Sequence, residues 1–290
     1  MRIALSAETT IDFTKELVEQ YHVYVAKPKI NVAGEEVWDG TYTNEEIYET
    51  VEKTGKLPKT SAVNEYMFEE HFKKIFDDGY DAVIHFSLSK TMSSSFQNAT
   101  NVAARLYPGK VFVIDSMTLS TAIGLELMYA DKLIKSGLED PEEIAKKVLA
   151  RVPYSQASFV VSRVDYLYKG GRCSAMSAFF GSLLKIRPQI IVKNGVMVAG
   201  KKYRGPIEKV TMDYVEDTLA QFTNKDPEHI FITYSSNTPE AHKIADKVQE
   251  RLEKENFFKN IHQTIAGGTV GCHCGPYTLG ILFFNDGPHE

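Results

Sequence analysis

The sequence predicts an α/β fold in two parts: an N-terminal domain over residues 1–153 with a mainly parallel sheet, and a C-terminal domain over residues 154–290 with a mixed sheet. Three observations predict it. In the first half, short β-branched or aromatic runs alternate with longer segments of helical period, which implies right-handed crossovers between parallel strands. After about residue 155 strand-like runs dominate, and Asn194-Gly195 between two of them is a strong hairpin signal that demands antiparallel pairing. A length of 290 residues also suits two domains of roughly 100–200 residues each.

Taken in order, runs 3–5, 82–86 and 111–114 read as buried strands. Thr43 with Glu46 three residues on has the pattern of a capping box for a helix through Val51, and Asn64 caps another through Phe76. Asp140 followed by Pro141 reads as N-cap and first helical position of a helix to about Arg151. Runs 159–161, 189–192, 196–198, 230–234, 261–265 and 279–284 then read as strands. Thr238-Pro239 opens a helix in which Ala241, Ile244, Ala245, Val248 and Leu252 share one face. The boundary between the parts is expected near Pro153, with no repeat or long linker.

Composition excludes several classes. Hydrophobic residues at 43% and charged residues at 24% belong to a folding chain, not a disordered one. Thirty-three Lys and Arg against 38 Asp and Glu leave a net charge of -5, so no basic field draws the chain to nucleic acid, and membrane contact is expected to be transient at most. Three cysteines point to a reducing compartment, and no apolar run reaches the roughly 18 residues of a membrane span. The expectation is a soluble, cytoplasmic protein.

Phosphate-loop, dinucleotide, nucleophile-elbow and zincin motifs are all missing from the sequence. Cys272-His273-Cys274 lacks the spacing of a structural zinc site, so neither a metal nor a cofactor is expected. Hydroxyl-rich loops remain. Thr60 and Ser61 end one polar stretch, and serines 87, 89, 93, 94 and 95 follow the strand at 82–86. Locally such residues cap helices. Their position beyond the carboxyl ends of parallel strands also suits an anionic head group held by hydrogen bonds. Gly170-Gly171 reads as a left-handed helix cap between Lys169 and Arg172. The glycines between Gly267 and Gly275 call for close backbone approach, and His273 is the histidine to single out among them. His85 reads as a satisfied core residue; His22, His71, His229, His242, His262 and His289 carry no pattern.

In sequence order, Glu8-Thr9-Thr10-Ile11-Asp12, Pro58-Lys59-Thr60-Ser61, Ser93 to Ala99, Val113 to Ser116 with Gly124, Asp165 to Ser174, Gly181 to Pro188, Arg204-Gly205 and His273-Cys274-Gly275-Pro276 span nearly the whole chain. This series resembles the DegV family, the fatty-acid-binding subunits of bacterial fatty acid kinases. The resemblance implies a DegV-like fold that encloses one long-chain fatty acid such as palmitate, stearate or oleate, its carboxylate on Thr60, Ser61, Ser93, Ser94 and His273. It also implies a partner, the fatty acid kinase catalytic subunit, which phosphorylates that carboxylate to an acyl phosphate for phospholipid synthesis. Arg172 and Arg204 would face that partner near the entrance, and the chain would not be catalytic by itself. Four places depart from the family pattern: Glu8 replaces Asp, Ser94 replaces Gly, Ala62-Val63-Asn64 replaces Gln-Pro-Ser, and Tyr277 replaces Gly. Tyr277 is expected to narrow the entrance or add a hydroxyl. The alternatives are a serine hydrolase or acyltransferase using one of Ser87, Ser93 or Ser94 with His273, and a lipid-binding regulator without phosphotransfer.

Overall fold

The computed structural model describes residues 1–173 and 186–287. Of the motif residues above, Ser174 and positions 181–185 lie outside them, as does His289. The first half runs β1 (Ile3–Glu8), α1 (Lys15–Gln20), β2 (Tyr24–Ala26), β3 (Lys29–Val32), β4 (Glu35–Trp38), α2 (Asn44–Thr54), β5 (Lys59–Thr60), α3 (Glu65–Asp77), β6 (Ala82–Ser87), α4 (Ser95–Leu106) and β7 (Val111–Asp115). Four of these strands form a wholly parallel sheet in the order β2-β1-β6-β7. From β1 the chain winds to β2 on one side and to β6 and β7 on the other. The strand order therefore reverses between β1 and β6, a switch point of the kind where open parallel sheets bind ligands.

The expected caps form. Thr43 accepts from the Glu46 amide while Glu46 accepts from the Thr43 amide, and the Asn64 side chain accepts from the Met67 amide. Two elements go beyond the sequence reading. Strands β3, β4 and β5 make a separate antiparallel sheet in the order β4-β3-β5. Helix α5 (Thr121–Lys135) lies between the main sheets. Its Ala122, Leu125 and Met128 pack with Ala157, Phe231 and Leu282, while Ile123, Leu127 and Ala130 pack with Leu5, Ile84 and Phe86.

After α6 (Pro141–Arg151), whose N-cap Asp140 accepts from the Glu142 and Glu143 amides, one 3-10 turn (Val152–Tyr154) leads directly into β8 (Ser155–Val160). Then come α7 (Asp165–Gly170), β9 (Ile186–Lys193), β10 (Val196–Arg204), α8 (Ile207–Gln221), β11 (His229–Tyr234), α9 (Pro239–Glu255), β12 (Asn260–Ile265), α10 (Gly268–Cys274) and β13 (Leu279–Phe284). The second sheet is mixed: its order is β10-β9-β8-β13-β11-β12, and β11 pairs with β12 in parallel. Asn194 and Gly195 turn β9 into β10 with φ of 51° and 79°, the two positive values that a type I′ turn requires. The predicted apolar face of α9 is buried against Val210 and Tyr214 of α8 and against β11 and β13. No helix among the described residues is long and apolar enough to cross a membrane.

Arg151 joins segments far apart in sequence. From the end of α6 its guanidinium donates to Asp226 and, at 2.9 Å, to Asp286, with all three side chains buried. Its carbon also sits 3.9 Å from the centre of the Phe284 ring. Replacing Arg151 with Met leaves two carboxylates buried without their cation, an expected loss of about 3–5 kcal/mol. Urea unfolding of Arg151→Met measures it; a midpoint equal to wild type would show the cluster to be dispensable.

Candidate functional site

Glu8 and Ser87 end the two strands that flank the switch point, and a cavity of about 570 Å³ is lined by Glu8 and the loop that follows Ser87. That volume falls in the range of about 300–1,000 Å³ common to small-molecule sites. Its wall carries Thr60 and Ser61 at the end of β5, Ser93, Ser94 and Ser95 at the start of α4, Arg172 beyond α7, and His273 of α10. Six of the seven predicted site residues thus converge, counting every one except Arg204. Another part of the wall is apolar: Leu88, Met92, Leu119, Met197, Val270 and Cys274 belong to one hydrophobic cluster with Phe159, Val161 and Ile190. Leu119, Val270 and Cys274 also border a smaller chamber of about 30 Å³ that reaches Phe159, Gly280 and Leu282.

The serine-rich loop divides its hydroxyls between structure and cavity. Ser87 donates to Glu8 at 2.6 Å, and Ser89 donates at 2.9 Å to the carbonyl of Gly195, which also accepts from Thr91. Ser93 accepts from the Ser95 amide at 3.1 Å, and Ser95 accepts from the Val63 amide at 3.1 Å. Ser94 stands at the N-cap position of α4, yet its side chain makes no capping bond. Thr10, in the turn after β1, is a further lining residue that the sequence reading passed over inside its own motif. Its hydroxyl is buried without a partner.

Helix α10 explains the glycine density. Asn44 donates to the carbonyls of Ala266 and Ser235 at 2.8 and 2.9 Å, Asp12 accepts from the Gly267 amide at 2.7 Å, and Asp39 accepts from Thr269 at 2.7 Å. A Cβ on Gly271 would lie 2.6 Å from the Asn44 Oδ1. Only a bare backbone fits there. At the far end of α10, His273 Nε2 and Thr60 Oγ1 form a hydrogen bond of 2.8 Å, so the imidazole's partner is a threonine and not a serine. His273 Nδ1 is buried without a partner, in the space that a Cβ on Gly170 would fill. Burial, reinforced by the Arg172 charge, lowers the His273 pKa to about 4, which keeps the ring neutral near pH 7. Burial raises Asp12 to about 8 against the hydrogen bonds from Ser120 and Gly267, and the nearby Asp39 charge adds to the rise.

Gly171 adopts the predicted left-handed cap, with φ of 72°, and Arg172 donates to the Gly170 carbonyl at 2.8 Å. Arg204 is exposed at the end of β10 and does not line the cavity. The expectation for Tyr277 is corrected. Its φ of 55° is the left-handed conformation that glycine tolerates best, and its ring packs against the α8–α9 cluster, away from the residues lining the cavity. His85 is only half satisfied. Its Nδ1 meets Ser6 at 2.9 Å, but its Nε2 is buried without a hydrogen bond. His71, which carried no pattern, bonds the same Ser6 at 2.7 Å. Cys272 and Cys274 pack into different clusters, one with Ile30 and Tyr166, the other with Leu167 and Phe159. No group of three His, Cys, Asp or Glu among the described residues is placed to hold a metal ion.

Fold and site together define an α/β protein with two main sheets and a ligand-sized cavity at the switch point of the parallel one. The chain belongs to the DegV family, whose model, described as an uncharacterised protein of that family, matches residues 2–286. Protein DegV of Bacillus subtilis is 30% identical over 98% of this chain and 99% of its own. The crystal structure of DegV from Bacillus subtilis, described as a fatty acid binding protein, aligns with a TM-score of 0.81 at 26% identity over 98% of this chain and 99% of that one. Two more distant structures show the same fold. A fatty-acid-binding DegV protein from Thermus thermophilus has a TM-score of 0.88 at 23% identity, covering 98% of this chain and 100% of its own. The Streptococcus pneumoniae fatty acid kinase B3 protein, loaded with linoleic acid, has a TM-score of 0.82 at 21% identity, covering 99% and 100%.

Burial also sets a pH dependence. His273 and His262 are lowered to about 4 and His71 to about 3, so these rings stay neutral in the fold where the unfolded chain takes up protons near 6.5. The contribution of these three rings is therefore complete above that value and is lost as the pH drops from about 6.5 towards 4, while Asp12 and Glu126, both raised by burial, act in the opposite sense and reduce the decline without reversing it. Urea midpoints at successive pH values are expected to decline through this window, with the His273 ring still neutral by NMR at the onset of the decline. A His273 that titrates near 6.5 would remove it from the effect.

Proposed function

We propose that this protein binds a long-chain fatty acid and presents its carboxylate to a separate fatty acid kinase catalytic subunit. The single observation that supports this most is the composition of the cavity wall, with hydroxyls and a neutral imidazole over one part and a continuous apolar cluster over another. Fatty acid binding by the relatives named above points the same way. Burying about 14 methylenes at about 0.8 kcal/mol each contributes on the order of 11 kcal/mol before ordering costs, so the tail supplies affinity. The head-group site supplies orientation.

In this reading Thr60, Ser61 and Ser94 donate to the carboxylate, joined by Ser93 when its hydroxyl turns from Ser95 Oγ, to which it donates at 3.1 Å, with the unpartnered Thr10 hydroxyl also lining the cavity. With its proton on Nε2, His273 donates to Thr60 and leaves the threonine O–H free for the ligand. Neutral donors hold the carboxylate while leaving an oxygen able to attack the γ-phosphorus of ATP on the kinase, with ADP as leaving group. The kinase would carry out the chemistry and this chain, in the cytoplasm, would serve as its binding subunit in phospholipid synthesis. Arg172 beside the cavity and Arg204 on the exposed end of β10 would meet that partner. The halves 1–153 and 154–290 act as the two domains enclosing the ligand.

Solvent extraction and mass spectrometry of purified protein are expected to release a long-chain fatty acid; protein from fatty-acid-rich cells that yields none would count against the reading. Thr60→Val and Ser93→Ala are each expected to weaken oleate binding by about 1–3 kcal/mol through loss of a charge-assisted hydrogen bond. Unchanged affinity in both would remove the head-group site. Mixing the protein with the kinase from the same genome, ATP and oleate should give acyl phosphate. Failure with an active kinase would leave binding without phosphotransfer.

A further inference from the structure

A buried polar chain crosses from the cavity to a second cleft. Ser6 and Glu8 share one face of β1 by the two-residue period of a strand, and Ser6 lies directly opposite His85 of β6. His85 is wholly buried among aromatic rings, with Phe68 and Phe72 of α3 edge-on to it at 5.1 and 5.6 Å. Ser6 Oγ bonds both His85 Nδ1 at 2.9 Å and His71 Nε2 at 2.7 Å. At the other end, His85 Nε2 has no hydrogen-bond partner and stands 3.9 Å from Glu8 Oε1. Glu8 lines the main cavity, whereas His71 lines a separate cleft of about 660 Å³ bounded by Trp38, Tyr66 and Lys74. A fully buried imidazole with an unmatched nitrogen is a costly way to fill a core, and an apolar residue would do it better.

We propose that Glu8 takes up a proton as the ligand carboxylate enters, and that His71, Ser6 and His85 deliver this proton from the second cleft. The inference rests on the fatty-acid reading above. Before transfer, His71 Nε2–H donates to Ser6, the Ser6 O–H donates to His85 Nδ1, and His85 carries its proton on Nε2 towards Glu8. A shift of about 1 Å brings His85 Nε2 and Glu8 into hydrogen-bond range. The His85 Nε2–H bond then breaks as an O–H bond forms on Glu8. The Ser6 proton moves to His85 Nδ1, the His71 Nε2 proton moves to Ser6, and His71 Nδ1 takes one proton from water in the cleft. Both histidines end neutral as the opposite tautomer. Glu8 has gained one proton.

The need for that proton comes from the cavity. Two carboxylates in one enclosure repel. Of the two cations among its described lining residues, Lys90 is paired with Asp115 at 3.3 Å while Arg172 is held by the neutral carbonyls of Gly170 and Met92, so one positive charge is left to balance one carboxylate and not two. His273 is neutral, while Asp12 and Asp39, beyond the turn after β1, hold Ser120, Gly267, Thr9 and Thr269. Burial keeps His71 neutral as well, with a pKa of about 3, which suits a conductor of protons and not a store. Once protonated, Glu8 becomes a donor, with Ser87 holding it at 2.6 Å.

The test is oleate binding across about pH 6 to 8, where uptake of about one proton makes affinity fall about tenfold per pH unit. Calorimetry in buffers of different ionisation enthalpy should give the same proton count. Glu8→Gln is expected to abolish both the slope and the uptake. Infrared difference spectra with carboxyl-labelled oleate should show a protonated carboxyl band that does not move with the label. Its change of frequency in Glu8→Asp, which keeps a carboxyl at that place, assigns it to Glu8 and not to Asp12, and a band unchanged in Glu8→Asp overturns the inference. Ser6→Ala should slow proton uptake, followed in stopped flow with a pH indicator, by about tenfold or more. Binding without proton uptake, or uptake that persists in Glu8→Gln, overturns this inference alone. Uptake at the wild-type rate in Ser6→Ala overturns the relay. No oleate binding at all overturns the functional reading and this inference with it.

Discussion

Seven residues, Gly268–Cys274, form the junction on which both sheets and the cavity depend. Helix α10 belongs by sequence to the second half and packs on α7, yet it is also held by side chains from the first half of the chain. The Asn44 amide spans the carbonyls of Ser235 and Ala266, just past the ends of β11 and β12, and so ties α2 to two neighbouring strands at once. Asp12 and Asp39 hold the start of the helix, and Thr60 meets its far end through His273. Each bond is buried or nearly so, where an unmade hydrogen bond costs more than a made one contributes. The raised pKa of Asp12, about 8, leaves it largely protonated near neutrality, so the junction is hydrogen-bonded rather than ionic at that point.

The same arrangement allows a hole in the protein. Helix α5 fills the space between the sheets with side chains from two faces, and the core there is continuous. At the carboxyl end of the parallel sheet the filling stops, and Met92, Leu119 and Met197 turn apolar surface towards space bordered by hydroxyls. Flexible methionines suit such a wall because they adapt to irregular shapes.

Local chemistry was legible in the sequence; chemistry between distant residues was not. The caps at Thr43, Asn64, Asp140 and Thr238 depend on a side chain and an amide two or three residues away, and all four form as expected. Helix α5 was missed because burial on two faces erased the polar stripe by which a helix is recognised. Strand β5 has two residues, and only the pairing of Lys59 with Asn31 and of Thr60 with Ile30 makes it a strand. Thr60 and His273 stand 213 positions apart, so the order of family motifs pointed to both while neither spacing nor periodicity joined them. The serines of the loop after β6 look alike in sequence. Geometry alone separates Ser89, bound to the hairpin, from Ser93 and Ser94 at the cavity.

That hairpin has a consequence of its own. Gly195 Cα sits so close to the loop after β6 that an added Cβ would meet Ser89 Oγ at 2.7 Å, and its carbonyl accepts from both Ser89 and Thr91. A two-residue turn between strands is ordinarily the place where a chain tolerates insertion or change of type. Here the turn acts as a template against which a neighbouring loop is moulded. Its length and handedness are therefore under the same constraint as the cavity, and drift at the tip of β9 and β10 would register as an altered cavity wall, not as a neutral change of surface.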